Sequence, residues 1–532
     1  MAAVSPPAGT PPTDPTPSAP TGPASHPSRS HPSSPPHPSS PSSPSSPSSP
    51  SSPSSPPDPA DRSAASASGS APESAPESGT PSGTAAVTTT VTGWGRTAPA
   101  TVTLVRPRSY AETAAAVRDR GPRGVIARGL GRAYGDAAQN AGGHVLDMTG
   151  LNRVRSVDTE HGEAVCDAGV SLHRLMEVLL PLGWFVPVTP GTRQVTVGGA
   201  VCADIHGKNH HAEGGFARHV RSLDLLTADG EVRTVTPGTD LFDATTGGMG
   251  LTGVVLGATL RLLPVETSLM TVDTERATDL DDLMARLTAG DHRYRYSVAW
   301  IDLLARGSAT GRAVLTRGDH APLDALPARS RRDPLAFRPG TLPPAPRFLP
   351  DGLLRRGTVG LFNELWYRRA PRSRTGELQR LSAFFHPLDG VPDWNRIYGR
   401  SGFVQYQFVV GHERADALRR VVGMLARRRC PSFLAVLKRF GPADPGWLSF
   451  PMAGWTLALD IPAGLPGLGR FLDELDEVVA EAGGRVYLAK DARLRPETLA
   501  AMYPRLGDFR ALRAQLDPDG VFASDLARRL GL

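Results

Sequence analysis

Of the 58 basic residues in the sequence only three are lysine: Lys208, Lys438 and Lys490. One reading is compositional drift; the other is that lysine is kept where a site is narrow or the group must titrate, because arginine is bulkier and holds its proton. Lys208 stands in "DIHGKNHH", among His206, His210 and His211. The H-x3-H-H spacing does not match a helical zinc pair with its general base, and a lysine in its midst repels a cation, so no metal is expected. The segment reads as a polar loop packed against a cofactor ring, with a solvated loop as the alternative. Gln405 and Gln407 alternate by two in "GFVQYQFVV". That spacing puts both on one face of a strand and suits recognition of sugar hydroxyls. Trp94 and Trp300 are candidate walls of such a pocket, or buried core.

Three glycine-rich stretches point to a large phosphate-bearing ligand. In "ARGLGRAYGDAAQNAGG" (127–143) Gly129, Gly131 and Gly135 give a GxGxxxG spacing, followed by a second strand and not by a helix. This excludes a Rossmann fingerprint, which needs GxGxxG opening a helix. It still lets backbone N–H groups approach a phosphate closely, with an ordinary glycine-rich hairpin as the alternative for this loop alone. "PGTRQVTVGGAVCADIHGKNHH" (190–211) and "TTGGMGLTGVV" (245–255) repeat the character, which suits a dinucleotide threaded between loops.

Short strands are expected at 124–129 and 144–149, and an amphipathic helix capped by Ser171 at 171–182. A hairpin turning at Asp229-Gly230 is expected over 222–237, and an apolar strand over 250–265. Beyond about residue 268 the pattern changes, with helices at 278–289 and 412–428 and strands at 294–302, 402–410 and 454–461. Residues 329–374, rich in Arg and Pro, read as a long, mobile, basic loop, and the chain ends in a short helix. The fold class is α+β with two domains.

Composition bounds the rest. Residues 1–90 hold 24 of the 52 prolines and no Leu, Ile, Phe, Trp, Tyr or Cys, so they are expected to be disordered. They carry a net charge of −3 against +6 for the whole, leaving +9 on the remainder and an anionic partner as the expectation. The arginines are scattered and no nucleic-acid motif occurs, so DNA and RNA are not expected. Three cysteines without a CxxC make neither a disulfide framework nor a zinc ribbon. No secretory signal or membrane-spanning run is seen, so the expectation is a protein of the cytoplasm or peripheral at the cell membrane, with the periplasmic face left open.

The stretches "RGLGRAYGD", "PGTRQVTVGGA", "DIHGKNHH" and "GGMGLTG" resemble the FAD-binding half of the vanillyl-alcohol-oxidase/p-cresol-methylhydroxylase (PCMH) flavoproteins. With "ELWYRR", "FHPLDG", "GFVQYQFVV", "LKRFGP", "YLAKDAR" and "FASDLARRL", the resemblance narrows to the decaprenylphosphoryl-β-D-ribose 2′-oxidase family and runs from about Thr92 to the C-terminus. It implies a two-subdomain PCMH-type FAD-binding domain at 91–268 and a substrate domain, an antiparallel sheet flanked by helices, at 269–484. Residues 485–532 would return to the FAD domain, and the disordered tail would be 1–90.

For FAD the resemblance implies contacts from Arg128, Gly129, Leu130, Gly131, Arg132, Ala133, Tyr134, Gly135 and Asp136 in the first loop. In the second it implies Pro190, Gly191, Thr192, Arg193, Gln194, Thr196, Gly199, Cys202, Ala203, Asp204 and His206, and beyond it Val254 and Tyr487. Many relatives attach FAD through a histidine of the first loop. This chain has Arg132-Ala133 there, so non-covalent FAD is expected.

The implied reaction oxidises the 2′-hydroxyl of a polyprenyl-phosphate-linked ribose to a ketone, the first step of epimerisation to the arabinose donor of cell-wall arabinan. Lys490, with Tyr487 and His206, would be catalytic; Trp94, Lys208, Trp300, Gln405, Gln407, Lys438 and Lys490 would meet the substrate. Implied partners are an NAD-dependent keto-reductase subunit and an anionic membrane surface, to which each nearby basic residue contributes ~1 kcal/mol. The sequence departs from the family at Ala458, where well-known relatives carry cysteine, and at Thr456, where they carry asparagine. The alternatives are an aldonolactone or alditol oxidase acting on a soluble polyol and a non-catalytic flavin-binding redox sensor.

Overall fold

In a computed structural model of the chain, residues 85–346 and 348–532 are described. The expected disordered tail therefore lies outside the described residues up to 84. Its last part is corrected, because Ala86–Val91 is a strand. The run Thr88, Thr89, Thr90 and Val91 favours extended backbone, and the strand pairs antiparallel with Ala100–Val105.

That pair opens a four-stranded sheet in the order Ala86–Val91, Ala100–Val105, His144–Asp147, Val125–Arg128, whose last two pairings are parallel. The C-terminal segment extends it: the Val125 amide donates to the Val521 carbonyl and the Ala523 amide to the Val125 carbonyl. A second sheet is antiparallel in the order Val154–Asp158, Glu163–Asp167, Val254–Arg261, Val220–Leu226, Val232–Val235. Its hairpin turns at Gly230, whose φ of +85° needs a residue without a Cβ. The helix Leu172–Leu179 packs with it. Ser171 Oγ accepts from the Arg174 amide, and Leu172, Leu175, Met176 and Leu179 face inward at helical spacing.

The third sheet has eight antiparallel strands: Ser373–Arg380, Leu269–Ala277, Ala313–His320, Tyr296–Ile301, Ala435–Phe440, Gly454–Pro462, Phe403–Gly411 and Arg485–Val486. The helices Leu280–Gly290, Ala415–Arg428 and Leu468–Glu481 share a core with Ala299, Leu315, Leu437, Leu457, Leu459 and Phe408. Side chains alternate across a strand, so the neighbours of those residues fall on the opposite face, and that face carries the site.

One expectation changes and one helix was not expected. Residues 329–374 are not one long loop: Arg356–Arg369 is a 14-residue helix. The helix Leu468–Glu481 also lacks a sequence signal at its start, because it begins after Gly467 in the left-handed region (φ +66°) with no side-chain cap.

Candidate active site

The third sheet's register assembles the polar residues. Trp300 lies opposite Val436, Val436 opposite Ala458, and Ala458 opposite Gln407. Two residues along, Lys438 lies opposite Thr456, and on the other side Asp460 lies opposite Gln405. Cross-strand partners share a face, so Trp300, Lys438, Thr456, Ala458, Asp460, Gln405 and Gln407 all project to the side away from the helices.

Above this face sit the second glycine loop and the segment after Arg485–Val486. The Tyr487 amide donates to the Gln407 carbonyl and continues the sheet edge, and the Lys490 amide donates to the Tyr487 carbonyl. The Tyr134 amide donates to the Ala489 carbonyl at 2.9 Å, tying the first glycine loop to the same segment. The Lys490 ammonium stands 3.9 Å above the Tyr134 ring. Tyr134 Oη accepts from Gln405 Nε2 at 3.1 Å, and the same amide donates to Asp460. Gln407 Nε2 donates to His206 Nε2 at 2.9 Å and to Thr456 Oγ1 at 3.3 Å. With both amide groups so used, the carbonyl oxygens of Gln405 and Gln407 meet no donor among the described residues and are free to accept a hydrogen bond from a ligand.

Lys438 is near enough to act on the charge of both other lysines. Burial, with Lys438 adding to it, lowers the Lys208 ammonium to about 7, and burial lowers Lys438 to about 8. Lys490 is also lowered by burial; nearby Asp460 opposes the shift and Lys438 reinforces it. Burial raises the carboxyl of Asp460. Among the described residues none of the three lysines has a carboxylate within ion-pair distance. Lys208 donates to the Phe384 carbonyl and lies 4.3 Å from that ring, while Lys438 donates to the Gly207 carbonyl at 3.3 Å.

His206 is wedged between Phe440, Phe450 and Tyr487, at ring separations of 4.9, 5.5 and 5.1 Å. Burial first, then Lys438, His210 and Lys490, hold it neutral with its pKa well below the usual value. Since Nε2 accepts from Gln407, the ring proton sits on Nδ1, a buried atom with no partner among the described residues. The neutral ring thus keeps an Nδ1–H donor free for a ligand.

Several expected cofactor contacts use their side chains elsewhere. Asp136 is bound by Arg529 at 2.8 and 3.0 Å, which fastens the C-terminal helix Asp525–Leu530. Arg128 donates to the Thr92 and Ala138 carbonyls. Thr192 Oγ1 and the Arg193 amide both donate to Asp389, and Thr196 Oγ1 caps the helix Val197–Cys202 by accepting from the Gly199 amide. Asp204 accepts from Ser449 and from the Ala217 amide. Val254 is fully buried core. Tyr487, expected to be catalytic, donates its hydroxyl to the Ala203 carbonyl at 2.8 Å, and burial raises its pKa well above the usual value, so the phenol stays protonated. Trp300 donates to the Phe433 carbonyl at 3.0 Å. Trp94 stacks under the Arg132 guanidinium at 3.8 Å, and Arg132 donates to the Gln194 carbonyl, joining the two glycine loops.

What remains of those loops fits a dinucleotide. The amides of residues 130–133 donate to no protein acceptor among the described residues. Four successive unpartnered N–H groups around Gly131, whose φ is +65°, make an anion cradle. Leu130 and Gln194 line a cavity of about 570 Å³ with Thr149, Val170 and Ser171, at the seam of the first two sheets. Together with the unpartnered His206 Nδ1, these groups would hold FAD along both loops. No histidine stands in the first loop, so acid precipitation is expected to release the yellow colour into the supernatant; colour retained in the pellet would show a covalent link.

Two further expectations arise here. At the position of the family cysteine, Ala458 offers only a methyl group, and burial pushes Cys166, Cys202 and Cys430 up to about 12, so few are thiolates. Agents that trap that cysteine during turnover are expected to leave the intact mass of this protein unchanged. The lysines also set a stability profile. Their folded pKa values of about 7 and 8 lie below the unfolded ~10.4. From about pH 7 to ~10 the unfolded chain binds more protons at these sites, so ligand-free stability rises with pH there and the full penalty is felt below about 7. Melting curves across this window should show a shallower rise for Lys208→Met/Lys438→Met than for wild type.

Asp460 was not singled out from the sequence. Its signal was a lone carboxylate inside the apolar run "GWTLALDIP".

Comparison with known proteins agrees with this geometry. Residues 102–236 match the FAD binding domain family, and residues 411–530 match the family described as D-arabinono-1,4-lactone oxidase. The chain is 48% identical over 83% of its length to decaprenylphosphoryl-beta-D-ribose oxidase of Mycolicibacterium smegmatis, covering 97% of that protein. It is 57% identical over 68% of its length to the whole of an uncharacterized protein from the mprA 5′ region of Streptomyces coelicolor. Similarity to alditol oxidase of a Streptomyces strain is lower, 28% identity over 83% of this chain and 98% of that one. The chain belongs to the decaprenylphosphoryl-β-D-ribose oxidase family of FAD-dependent oxidoreductases.

Proposed function

We propose that the chain oxidises the 2′-hydroxyl of decaprenylphosphoryl-β-D-ribose to the 2′-ketone, the first half of an epimerisation at that carbon. The observation that carries this reading is the single sheet face holding Gln405, Gln407, Lys438 and Asp460 beneath Lys490. It pairs sugar-hydroxyl acceptors with lysines that lack carboxylate partners. Bound FAD supplies the acceptor for the hydride that leaves C2′. Lys490, held toward its neutral form by burial, takes the hydroxyl proton at Nζ. Gln405 and Gln407 orient the ring by accepting from its hydroxyls. Lys438 and Lys208 offset the charge of the phosphate diester. Phe440, Phe450 and Tyr487 keep water from the reacting carbon.

The keto sugar must next be reduced on the other face, which calls for an NAD-dependent reductase partner to give the arabinose epimer. The lipid tail of the substrate places the work at an anionic membrane surface. Among the described residues no helix is long and apolar enough to cross a membrane.

The match to a D-arabinono-1,4-lactone oxidase over residues 411–530 favours a second reading, a soluble polyol or lactone as substrate. Steady-state turnover separates the two. The lipid-phosphate ribose should exceed alditols and aldonolactones in kcat/KM by at least a hundredfold, and the reverse order would establish the second reading.

A further inference from the structure

The helix Arg356–Arg369 is inside out. Its buried positions are Val359 and Asn363, and the Asn363 amide donates to Asp302 at 2.7 Å. Its exposed positions are Leu361 (63% exposed), Phe362, Leu365 (60%) and Trp366 (48%). A surface helix of a water-soluble fold turns its apolar stripe inward and its polar face out. Here Leu361, Phe362, Leu365 and Trp366, spaced to share one face, form an outward apolar stripe, with Leu353 exposed just before the helix. Such a patch marks a contact with something other than water.

Charge identifies the contact. Residues 355–374 hold six arginines and a single acid, Glu364, whose carboxylate is already taken by Arg312 and Arg368. Arg368 pairs with Glu364 and Arg374 with Glu377, while Arg355, Arg356, Arg369 and Arg372 have no carboxylate partner among the described residues; an apolar stripe flanked by these four matches an interfacial helix on an anionic bilayer.

The stripe is continuous with the active site. Trp366 stacks on Phe362 at 6.0 Å, Phe362 meets Phe433 at 5.8 Å, and Phe433 meets Tyr398 at 6.0 Å. Tyr398 stacks on Phe403 at 4.1 Å, and Phe403 meets Tyr134 at 5.4 Å. Tyr134 is the ring beneath Lys490.

We infer that this helix face is the surface by which the protein docks on an anionic bilayer, with the aromatic track leading from the bilayer to the catalytic lysine. Its use for substrate delivery rests on the proposed function. The tail of a lipid-linked substrate then stays in or near the membrane while its sugar reaches the sheet face.

The test uses the full-length holoprotein, vesicles of phosphatidylcholine with or without phosphatidylglycerol, and Leu361→Gln/Leu365→Gln, both at exposed positions. Wild type should pellet with the anionic vesicles, less so at high salt, and the variant should lose at least nine-tenths of that partition. Trp366 fluorescence should be quenched by brominated lipid, and Trp366→Phe should remove the quenched component. Turnover of a short-chain, water-soluble prenylphosphoryl-ribose should be the same in wild type and variant, while turnover of long-chain substrate in vesicles should fall about tenfold in the variant. Pelleting of the variant equal to wild type, pelleting insensitive to lipid charge, or self-association abolished by the same substitutions without vesicle binding would each overturn the docking surface. If wild type turned over neither substrate, the oxidase reading would fail, and the vesicle and quenching results would still decide the docking.

Discussion

Lys490→Ala is expected to lower the rate of substrate oxidation by about a thousandfold, within the range for loss of a positioned general base, while FAD stays bound. Lys490 stands where the first glycine loop, the sheet edge and the Asp460–Gln405–Tyr134 network meet. Its own side chain caps no helix and carries no ion pair among the described residues, so truncation should leave the fold in place. The substitution removes the group that receives the hydroxyl proton. Lys490→Arg sharpens the test: arginine keeps the charge but does not release a proton, so it should be as slow as alanine if proton acceptance is the role. Recovery of most of the rate by arginine would instead assign the residue to electrostatic stabilisation. For wild type, kcat/KM should rise with pH across the neutral range as Lys490 deprotonates, and this limb should vanish in both variants.

Gly135→Ala is expected to strip the protein of FAD. A Cβ at Gly135 would overlap the Asp491 carbonyl oxygen and come within 2.9 Å of Ala492 Cα, both backbone atoms that no rotamer change can move aside. Overpacking of this kind costs about 1–3 kcal/mol. Relief requires the first glycine loop to move away from the segment that carries Lys490, which would spoil the proposed amide cradle and the placement of Lys490 together. Purified Gly135→Ala should be colourless or retain a minor fraction of the flavin, with a lower melting temperature. Gly507→Ala, in the helix Leu506–Leu516 and outside the glycine loops, makes the control, since a Cβ there meets nothing within 4 Å; full flavin content in both would show that the first loop does not hold the cofactor.

Much of this site could be read in advance because its signals are local. The scarcity of lysine survives any fold and marked Lys208, Lys438 and Lys490. The two-residue spacing of Gln405 and Gln407 fixed their common face, and strand–loop–strand context around 129–135 separated this loop from a Rossmann turn. What stayed hidden depends on register and on which atom does the work. Asp460 joins the site only because the strands Gly454–Pro462 and Phe403–Gly411 pair so that it lies opposite Gln405. The loop residues matched the motif, yet the side chains of Asp136, Arg128 and Thr196 hold the scaffold, since a phosphate cradle is built from backbone amides. The helix Arg356–Arg369 escaped notice because its apolar face points outward and its buried residues are Val359 and the polar Asn363, which inverts the pattern by which helices are recognised.

The central claim is best tested by anaerobic titration of the purified yellow protein with decaprenylphosphoryl-β-D-ribose. One equivalent of the lipid-phosphate sugar per site should bleach the flavin band and yield one equivalent of the 2′-keto sugar, and an alditol at the same concentration should do neither. A flavin band left intact by the lipid-phosphate ribose but bleached by a soluble polyol would contradict it.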